Sequence, residues 1–417
     1  MNSKRYTHFC GIDVAKDAHV ARILDADGKT VGKPKSFRNH AAGYQQLLER
    51  LVHAGGPQKV LVGMEATGHY WLSLHEFLTR QGYQVAVLNP IQTAQEAKKG
   101  IRKAKTDNID TKPIAVLLNN GDYRPAIVPG EPGFACRQLT RLRYALIAQS
   151  SRIKQILWSR LHPVWPEYEA LFSQPFGPTG RQLLKTAPVP LDVLNLKVED
   201  LCEMPRSVSR GKHGPAKAQE VRQAALHSVG MHRGLQAARI GIRTLLACLQ
   251  ALQPIRNQLE EQIEQLAAQL PPYILTLPGI DALKAVSLFG ETDPITAFRG
   301  PDQLVAFAGL DLGAWQTGQY DAPHRHISKR GSPYLRKTLW MMAHRAVYEE
   351  GELRDYWVRK RKEGLKHLSA VTAASIKLCR ACWRILTDQR PYVPQGRPTC
   401  PTAAKPKSQS LCHAGKS

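Results

Sequence analysis

The chain has 417 residues, of which 43% are hydrophobic, so it is long enough for two or three domains with apolar cores and is not disordered as a whole. Its formal net charge of +24 favours a polyanion such as nucleic acid as the partner. No apolar run approaches the roughly 20 residues that a membrane-spanning helix needs, and no signal-peptide core follows the N-terminus. These features and the scattered cysteines predict a protein of a reducing compartment, the cytosol, with no membrane partner.

The first apolar run, residues 9–15, has the length and the β-branched residues that are typical of a buried strand. Asp13 stands in its middle. An ionised carboxylate on a buried strand is costly unless a cation or a hydrogen-bond network compensates it. We therefore expect Asp13 to find partners among the next hundred residues.

The remainder of the N-terminal part alternates between strand and helix patterns. Helical spacing of apolar residues predicts three further segments, at 42–52, 68–81 and 106–118. Short apolar runs predict four more strands, at 19–25, 30–38, 59–65 and 83–88. This order predicts an α/β fold, a mixed sheet flanked by helices.

Four acids stand at the ends of these predicted elements: Asp13, Glu65, Asp107 and Asp110. Asp107 and Asp110 are three residues apart on a helix and therefore share a face. Converging carboxylates bind Mg²⁺ or Mn²⁺, and such ions can serve phosphodiester chemistry. Two other interpretations stay open at this point: the helical pair could be helix-start acids favoured by the dipole, and Glu65 could face solvent.

A basic segment precedes the helical pair of acids. Its cations could bind the phosphates of a nucleic acid, and they are Lys98, Lys99, Arg102, Lys103 and Lys105.

The middle of the chain is predicted to be helical. A Pro- and Gly-rich linker at 124–133 leads into helical spacing at 135–172 and again at 216–270. Leu and Ile recur at three- and four-residue steps within 245–270, which predicts two long arms that pack as a coiled coil. Residues 173–215 between them are expected to be irregular, because Pro, Gly and Ser punctuate them.

The C-terminal part is expected to be mostly α-helical, with helices at 334–348 and 368–386 and a polar loop at 311–333. Leu277-Pro-Gly-Ile280 resembles the turn of a helix-hairpin-helix, in which backbone amides hold a DNA phosphate. Residues 389–417 are rich in Pro and basic residues, which predicts a disordered tail.

Four N-terminal motifs resemble those of the DEDD-type insertion-sequence transposases: Gly11-Ile-Asp-Val-Ala-Lys16, Met64-Glu-Ala-Thr-Gly-His-Tyr70, Asn89-Pro90 and Lys105-Thr-Asp-Asn-Ile-Asp110. The resemblance implies a ribonuclease H/RuvC-like catalytic domain whose four acids are Asp13, Glu65, Asp107 and Asp110. These are the residues that the strand and helix patterns single out independently.

Three C-terminal segments resemble the transposase domain of the same family: Leu277-Pro-Gly-Ile280, Phe307-Ala-Gly-Leu310 and Ile327-Ser-Lys-Arg-Gly-Ser-Pro-Tyr-Leu-Arg336. This resemblance implies a serine nucleophile in a Ser-Gly pair just before the basic segment. This chain departs from that pattern, because the aligned residues are Gln316-Thr317-Gly318. Thr317 is the favoured nucleophile. The alternatives are Ser328, Ser332, or a copy that has lost strand transfer.

The basic segment of this second domain supplies further phosphate ligands, which we expect to be Lys329, Arg330 and Arg336. Four regions follow from the two resemblances and the patterns between them. They are a RuvC-like catalytic domain at 1–124, a linker and helical coiled-coil region at 125–270 with an insertion at about 173–215, a transposase domain at 271–388 and a tail at 389–417.

The expected function is that of a DNA transposase or recombinase that moves its own insertion sequence with Mg²⁺ or Mn²⁺. The resemblance implies a bridge RNA from the element that guides donor and target DNA, and a place beside the nucleoid of the bacterial cytosol. The helical arms predict a homodimer or a homotetramer. The alternatives are a metal-dependent, structure-selective nuclease of the Holliday-junction-resolvase kind, which needs no C-terminal hydroxyl, and a non-catalytic nucleic-acid-binding protein.

Overall fold

A computed structural model of the chain describes residues 5–98, 107–197, 199–203, 214–312, 316–317, 320–321 and 326–394. At 107–110, 316–317 and 320–321 the description concerns the backbone. The chain divides into two compact units between Gly130 and Glu131.

The N-terminal unit is built on a five-stranded mixed sheet in the order β3-β2-β1-β4-β5. β1 pairs with β2, and β2 with β3, in antiparallel fashion, whereas β1–β4 and β4–β5 are parallel pairs. The strands are β1 (His8–Asp13), β2 (Ala18–Asp25), β3 (Lys35–Arg38), β4 (Val60–Glu65) and β5 (Gln84–Leu88). The central strands β1 and β4 are buried along most of their length, which explains why their sequences are continuous apolar runs.

Helices cover both faces of this sheet. They are α1 (Ala41–His53), α2 (Trp71–Arg80), α3 (Pro90–Lys98) and α4 (Asp107–Asn120). Ile12 and Met64 belong to the core formed with α1 and α2, whereas Phe9 and Leu61 pack against α4. The predicted mixed sheet with flanking helices is therefore confirmed, and it fits an α/β nuclease-like fold.

The C-terminal unit begins with helical elements, α5 (Gly133–Leu161), α6 (Tyr168–Leu171), α7 (Pro178–Thr186), α8 (Pro190–Leu194), α9 (Pro215–Leu226) and α10 (Leu235–Ala267). The two long helices α5 and α10 pack side by side. Arg143 of α5 contacts Glu260 of α10, whereas Leu157 further along α5 shares a core with Leu246, so the pair is antiparallel. The coiled-coil geometry of the arms stays a prediction.

The expectation of an irregular segment at 173–215 is wrong for its described part. That part contains α7, α8 and a helical turn at 199–203. Pro178 and Pro190 stand in the first turn of their helices, where a missing N–H costs nothing, so prolines taken for loop punctuation are in fact helix starts. Leu184 and Val193 are fully buried in the same core as α5 and α10.

The remaining elements are two 3₁₀ turns (Pro272–Thr276 and Ile295–Ala297), α11 (Ala282–Thr292), α12 (Pro301–Phe307), β6 (Gln316–Thr317), β7 (Tyr320–Asp321), α13 (Pro333–Ala346), α14 (Glu352–Lys362) and α15 (His367–Asp388). The sequence pattern does not predict helix α14. Because most of its residues are charged and only Leu353 is buried, its sequence lacks the regular spacing of apolar residues that predicts a helix. The helix-hairpin-helix interpretation of 277–280 stays a prediction.

Candidate functional site

Asp13 and Glu65 end adjacent parallel strands. The register pairs Ile12 of β1 with Met64 of β4, so the next residues along the two strands are Asp13 and Glu65. Neighbouring strands lie about 4.8 Å apart, so the two acids leave the sheet side by side at its carboxyl edge. Both side chains are partly exposed there.

The same two acids lie on the face of the sheet that α4 covers. Asp13 is two residues beyond Gly11, and Glu65 is two residues beyond Gly63, so each acid shares a face with its glycine. A β-carbon at Gly11 would lie 2.5 Å from the carbonyl oxygen of Thr111, and one at Gly63 would lie 2.7 Å from a methyl group of Leu118. The glycines therefore allow α4 to lie directly on the two strands that carry the acids.

Helix α4 runs antiparallel to β1. Its far end lies beside the start of β1, because Asn119 donates a hydrogen bond to the carbonyl of Ala26, just beyond the β2 residue that pairs with His8. From Thr111 back to Asp107 the helix rises about 6 Å, which is close to the distance of about 6.6 Å from Gly11 to Asp13. The backbone of the first turn of α4, which carries Asp107 and Asp110, is thus directed towards the carboxyl edge.

Glu65 is held by two hydroxyl groups. Thr93 of α3, which is buried, donates to Oε2 at 2.6 Å, and Thr67 donates to Oε1 at 2.9 Å. Thr93 was not predicted from the sequence, because nothing in an amphipathic helix marks one threonine as a carboxylate partner. Two hydrogen bonds fix the orientation of Glu65 and leave lone pairs of both oxygens free to bind a cation.

The donor set at this edge fits a hard divalent cation, because it consists of carboxylate oxygens on rigid strands. Among the residues whose side chains are described, no group of three His, Cys, Asp or Glu could hold a metal ion. Asp107 and Asp110 are not among those side chains.

Of the predicted basic residues before α4, Lys98 is exposed and ends α3. Lys99, Arg102, Lys103 and Lys105 lie outside the described residues.

In the second unit, the segment of Lys329 and Arg330 is fastened to the end of α12. Ser328 N donates to the carbonyl of Asp311 at 2.8 Å, and Lys329 N to that of Gly309 at 3.0 Å. The Lys329 and Arg330 side chains are exposed, and their role as phosphate ligands stays a prediction. Arg336 is half-buried and donates from Nη1 to the carbonyl of Ala308 at 2.9 Å, so part of its guanidinium group is committed to fixing this turn.

A buried polar network lies beneath this basic segment. Glu291 of α11 is fully buried and accepts both guanidinium hydrogen bonds of Arg141 from α5, at 2.7 and 2.9 Å. Ser332, the N-cap of α13, donates to Glu291 at 2.8 Å and accepts from the backbone N–H of Leu335. Glu291 was not singled out from the sequence, although a lone acid within an apolar helix is the same signal that identified Asp13.

Thr317 lies on β6 of a short hairpin with β7. The connection that contains this hairpin is closed by an isolated bridge between Leu312 and Ile327. Of the two alternative hydroxyls, Ser332 is buried as a helix cap, and Ser328 donates to the carboxylate of Asp311.

No helix in the described part of the chain combines the length and the apolar character that crossing a membrane requires.

Comparison with known proteins shows similarity along most of the chain. A protein of 44.8 kDa from insertion element IS116 of Streptomyces clavuligerus, named as uncharacterized, is 25% identical over 405 residues, which are 94% of this chain and 98% of that protein. A protein of the IS117 mini-circle of Streptomyces coelicolor, named as its candidate transposase, is 22% identical over 382 residues, which are 87% of this chain and 90% of that protein. An insertion element IS900 protein of Mycobacterium paratuberculosis is 28% identical over 127 residues, about three tenths of each chain.

Two family models match different parts of the chain. DEDD_Tnp_IS110, described as a transposase, matches residues 10–166, and the family described as "Transposase IS116/IS110/IS902 family" matches residues 272–358. These matches favour a transposase over the structure-selective nuclease and over the non-catalytic binding protein. Together the two ranges cover more than half of the 417 residues in the order that the resemblance predicted, and the chain belongs to the IS110-family transposases, enzymes that act on DNA in transposition.

Proposed function

We propose that this transposase excises and inserts its own insertion sequence by metal-assisted strand cleavage and strand exchange. The observation that carries the proposal is the arrangement at the carboxyl edge of the sheet. Asp13 and Glu65 are neighbours there, and the first turn of α4 is directed towards them.

Asp13, Glu65, Asp107 and Asp110 would hold the divalent cation, Mg²⁺ or Mn²⁺, through carboxylate oxygens. When bound, the cation supplies Lewis-acid polarisation of the scissile phosphate and charge stabilisation of the leaving oxygen. The protein's own part is to aim the carboxylates. Thr93 and Thr67 orient Glu65 by their hydrogen bonds, and the closely packed α4 fixes the distance between its first turn and the strands.

Basic residues of both units would position the DNA by its phosphates, which fixes register without reading sequence. In the N-terminal unit these are Lys98, Lys99, Arg102, Lys103 and Lys105, and in the C-terminal unit Lys329, Arg330 and Arg336.

Thr317 would provide the nucleophilic hydroxyl. Attack of its Oγ on phosphorus forms an Oγ–P bond, breaks the P–O bond to the leaving nucleotide and releases the hydroxyl proton to a base. The burial of Ser332 as a helix cap supports Thr317 over that residue. Ser328 is the better alternative, since its hydroxyl already donates to a carboxylate, Asp311.

A guide RNA from the element would direct the reaction, and the protein would act as a homodimer or homotetramer in which helices α5 and α10 provide the contact surface. The +24 charge suits two nucleic acids at once. We also propose that the four regions 1–124, 125–270, 271–388 and 389–417 are functional divisions of the chain.

The experiment is element excision in cells, read by amplifying the junctions of excised circles from a plasmid that carries the gene and its native flanks. We expect junctions with wild type and with the control Asp17→Asn, because Asp17 is exposed four residues beyond Asp13. We expect none with Asp13→Asn or Thr317→Ala. Junctions that persist in Asp13→Asn would overturn the metal-site proposal, and junctions that persist in Thr317→Ala but vanish in Ser328→Ala would transfer the nucleophile to Ser328.

A further inference from the structure

The C-terminal unit contains a cavity of about 850 Å³ between α12, α14 and α15. This volume lies within the range of about 300–1,000 Å³ that is typical of small-molecule sites. Half of its lining residues are apolar, among them Val305, Leu310, Ala373, Ile376 and Tyr356, and the other half are polar or charged. Such a lining takes a flat, weakly polar group out of water.

Cations stand at the aromatic side of this cavity. The ammonium groups of Lys360 and Lys377 lie 5.7 and 5.5 Å from the centre of the Tyr356 ring. Lys360 contacts Glu363 at 2.6 Å and Lys377 contacts Glu352 at 3.4 Å. These ion pairs are partly exposed, and pairs of that kind contribute little to stability, so a phosphate could replace either carboxylate at small cost.

The cavity adjoins the root of the connection that carries Thr317. Leu312 and Ile327, which close this connection through their bridge, both line the cavity. A ligand at this end of the cavity would therefore contact Leu312 and Ile327, the two residues that close the connection carrying Thr317.

We propose that the cavity receives one unstacked nucleobase of the element's DNA and that Lys360 and Lys377 bind that nucleotide's phosphate. The inference rests on the proposed function, since it assigns a role to DNA at the hairpin of Thr317. Enzymes that act on a nucleotide often extrude its base into an apolar pocket and stack it against aromatic or apolar side chains. An extruded base would hold the neighbouring phosphate in register with the hairpin.

The test uses 2-aminopurine, a fluorescent base with an exocyclic amino group, whose emission is quenched in a stacked duplex. It is placed in turn at each position around the cleaved phosphate of an element-end duplex. The full-length protein is added with RNA transcribed from the element's end, and binding is followed separately by anisotropy. We expect one position to brighten several-fold on binding, and the corresponding probe in the RNA to stay dark.

Matched variants separate the cavity from the surface of the same helix. Ala373→Phe fills the cavity, whereas Leu368→Phe changes an exposed residue that does not line it. We expect brightening to vanish in Ala373→Phe and to persist in Leu368→Phe, with thermal melting confirming that both fold. Lys377→Ala is expected to weaken the brightened complex several-fold more than Arg384→Ala, which changes an exposed residue of α15 outside the lining.

Bound duplex without brightening at any position would overturn the cavity proposal and leave the proposed function intact, since excision and its dependence on Asp13 are measured independently. Brightening that survives in a folded Ala373→Phe variant, or that occurs only in the RNA, would also overturn it. Failure of the protein to bind the element ends at all would overturn both proposals.

Discussion

Replacing Gly11 by alanine would disturb the packing of α4 against the sheet. The added β-carbon would lie 2.5 Å from the carbonyl oxygen of Thr111, 2.7 Å from the backbone nitrogen of Ala115 and 3.0 Å from the Ala115 β-carbon. Non-bonded heavy atoms prefer about 3.5–4.0 Å, so α4 must lift by roughly 1 Å. Overpacking of this kind costs about 1–3 kcal/mol of unfolding free energy.

The functional loss should be larger than the stability loss. Lifting α4 separates its first turn, with Asp107 and Asp110, from Asp13 and Glu65, and a misplacement of about 1 Å in a catalytic arrangement can cost roughly 100-fold in rate. We therefore expect about a 100-fold drop in circle junctions, measured by quantitative amplification at a temperature where urea unfolding shows the variant to be folded.

Two glycine variants serve as controls. Gly130→Ala adds a methyl group that meets no atom within 4 Å, so it should behave as wild type. Gly63→Ala meets the flexible end of the Leu118 side chain, which can rotate away, so it should fall between the two. A folded Gly11→Ala variant with the stability and junction yield of Gly130→Ala would refute the argument that α4 positions the acids.

Three further predictions concern single side chains. Thr93→Val removes the hydrogen bond of 2.6 Å to Glu65, so it should raise the Mg²⁺ concentration needed for half-maximal cleavage. The free energy of unfolding should change by only about 1 kcal/mol. An unchanged Mg²⁺ requirement would contradict this prediction. Burial lowers the pKa of His19 below its ordinary 6.5, so the unfolded state takes up the proton first as the pH falls below 6.5. Urea unfolding should therefore show a free energy of unfolding that declines from pH 7 to pH 5.5, and that declines less steeply in His19→Gln. Equal slopes in the two proteins would contradict this prediction. Glu291→Gln weakens the ion pair between buried Glu291 and Arg141, whose side chain is 39% exposed. The free energy of unfolding, measured by thermal melting, should fall by about 1–3 kcal/mol. A variant that melts at the wild-type temperature would contradict this prediction.

The sheet could be predicted from the sequence because its central strands are buried on both faces and therefore read as apolar runs. The placement of Asp13 within such a run was informative for the same reason. The exact register of β1 against β4, which makes Asp13 and Glu65 direct neighbours, could not be fixed from the sequence, since 46 residues separate the two strands and only tertiary packing selects the register.

Other features were hidden by their composition. Helix α14 presents charged residues on most of its surface, and the helices of 178–194 begin at prolines that also mark loops, so periodicity identified neither. The cavity and the Glu291 network join residues from separate helices, for example Arg141 and Ser332, which lie far apart in the sequence. Such contacts arise from packing and leave no local pattern.

Metal mapping by Fe²⁺ would test whether the four acids form one cation site. Fe²⁺ binds oxygen-ligand sites somewhat more tightly than Mn²⁺, and with ascorbate and peroxide it oxidises the polypeptide close to where it is bound. We expect mass spectrometry to locate oxidation at residues 12–14, 65–67 and 107–111 together, to find it suppressed by excess Mg²⁺, and to find it absent in Asp13→Asn. Oxidation that is confined to one of these segments, or that persists in Asp13→Asn, would contradict a shared metal site.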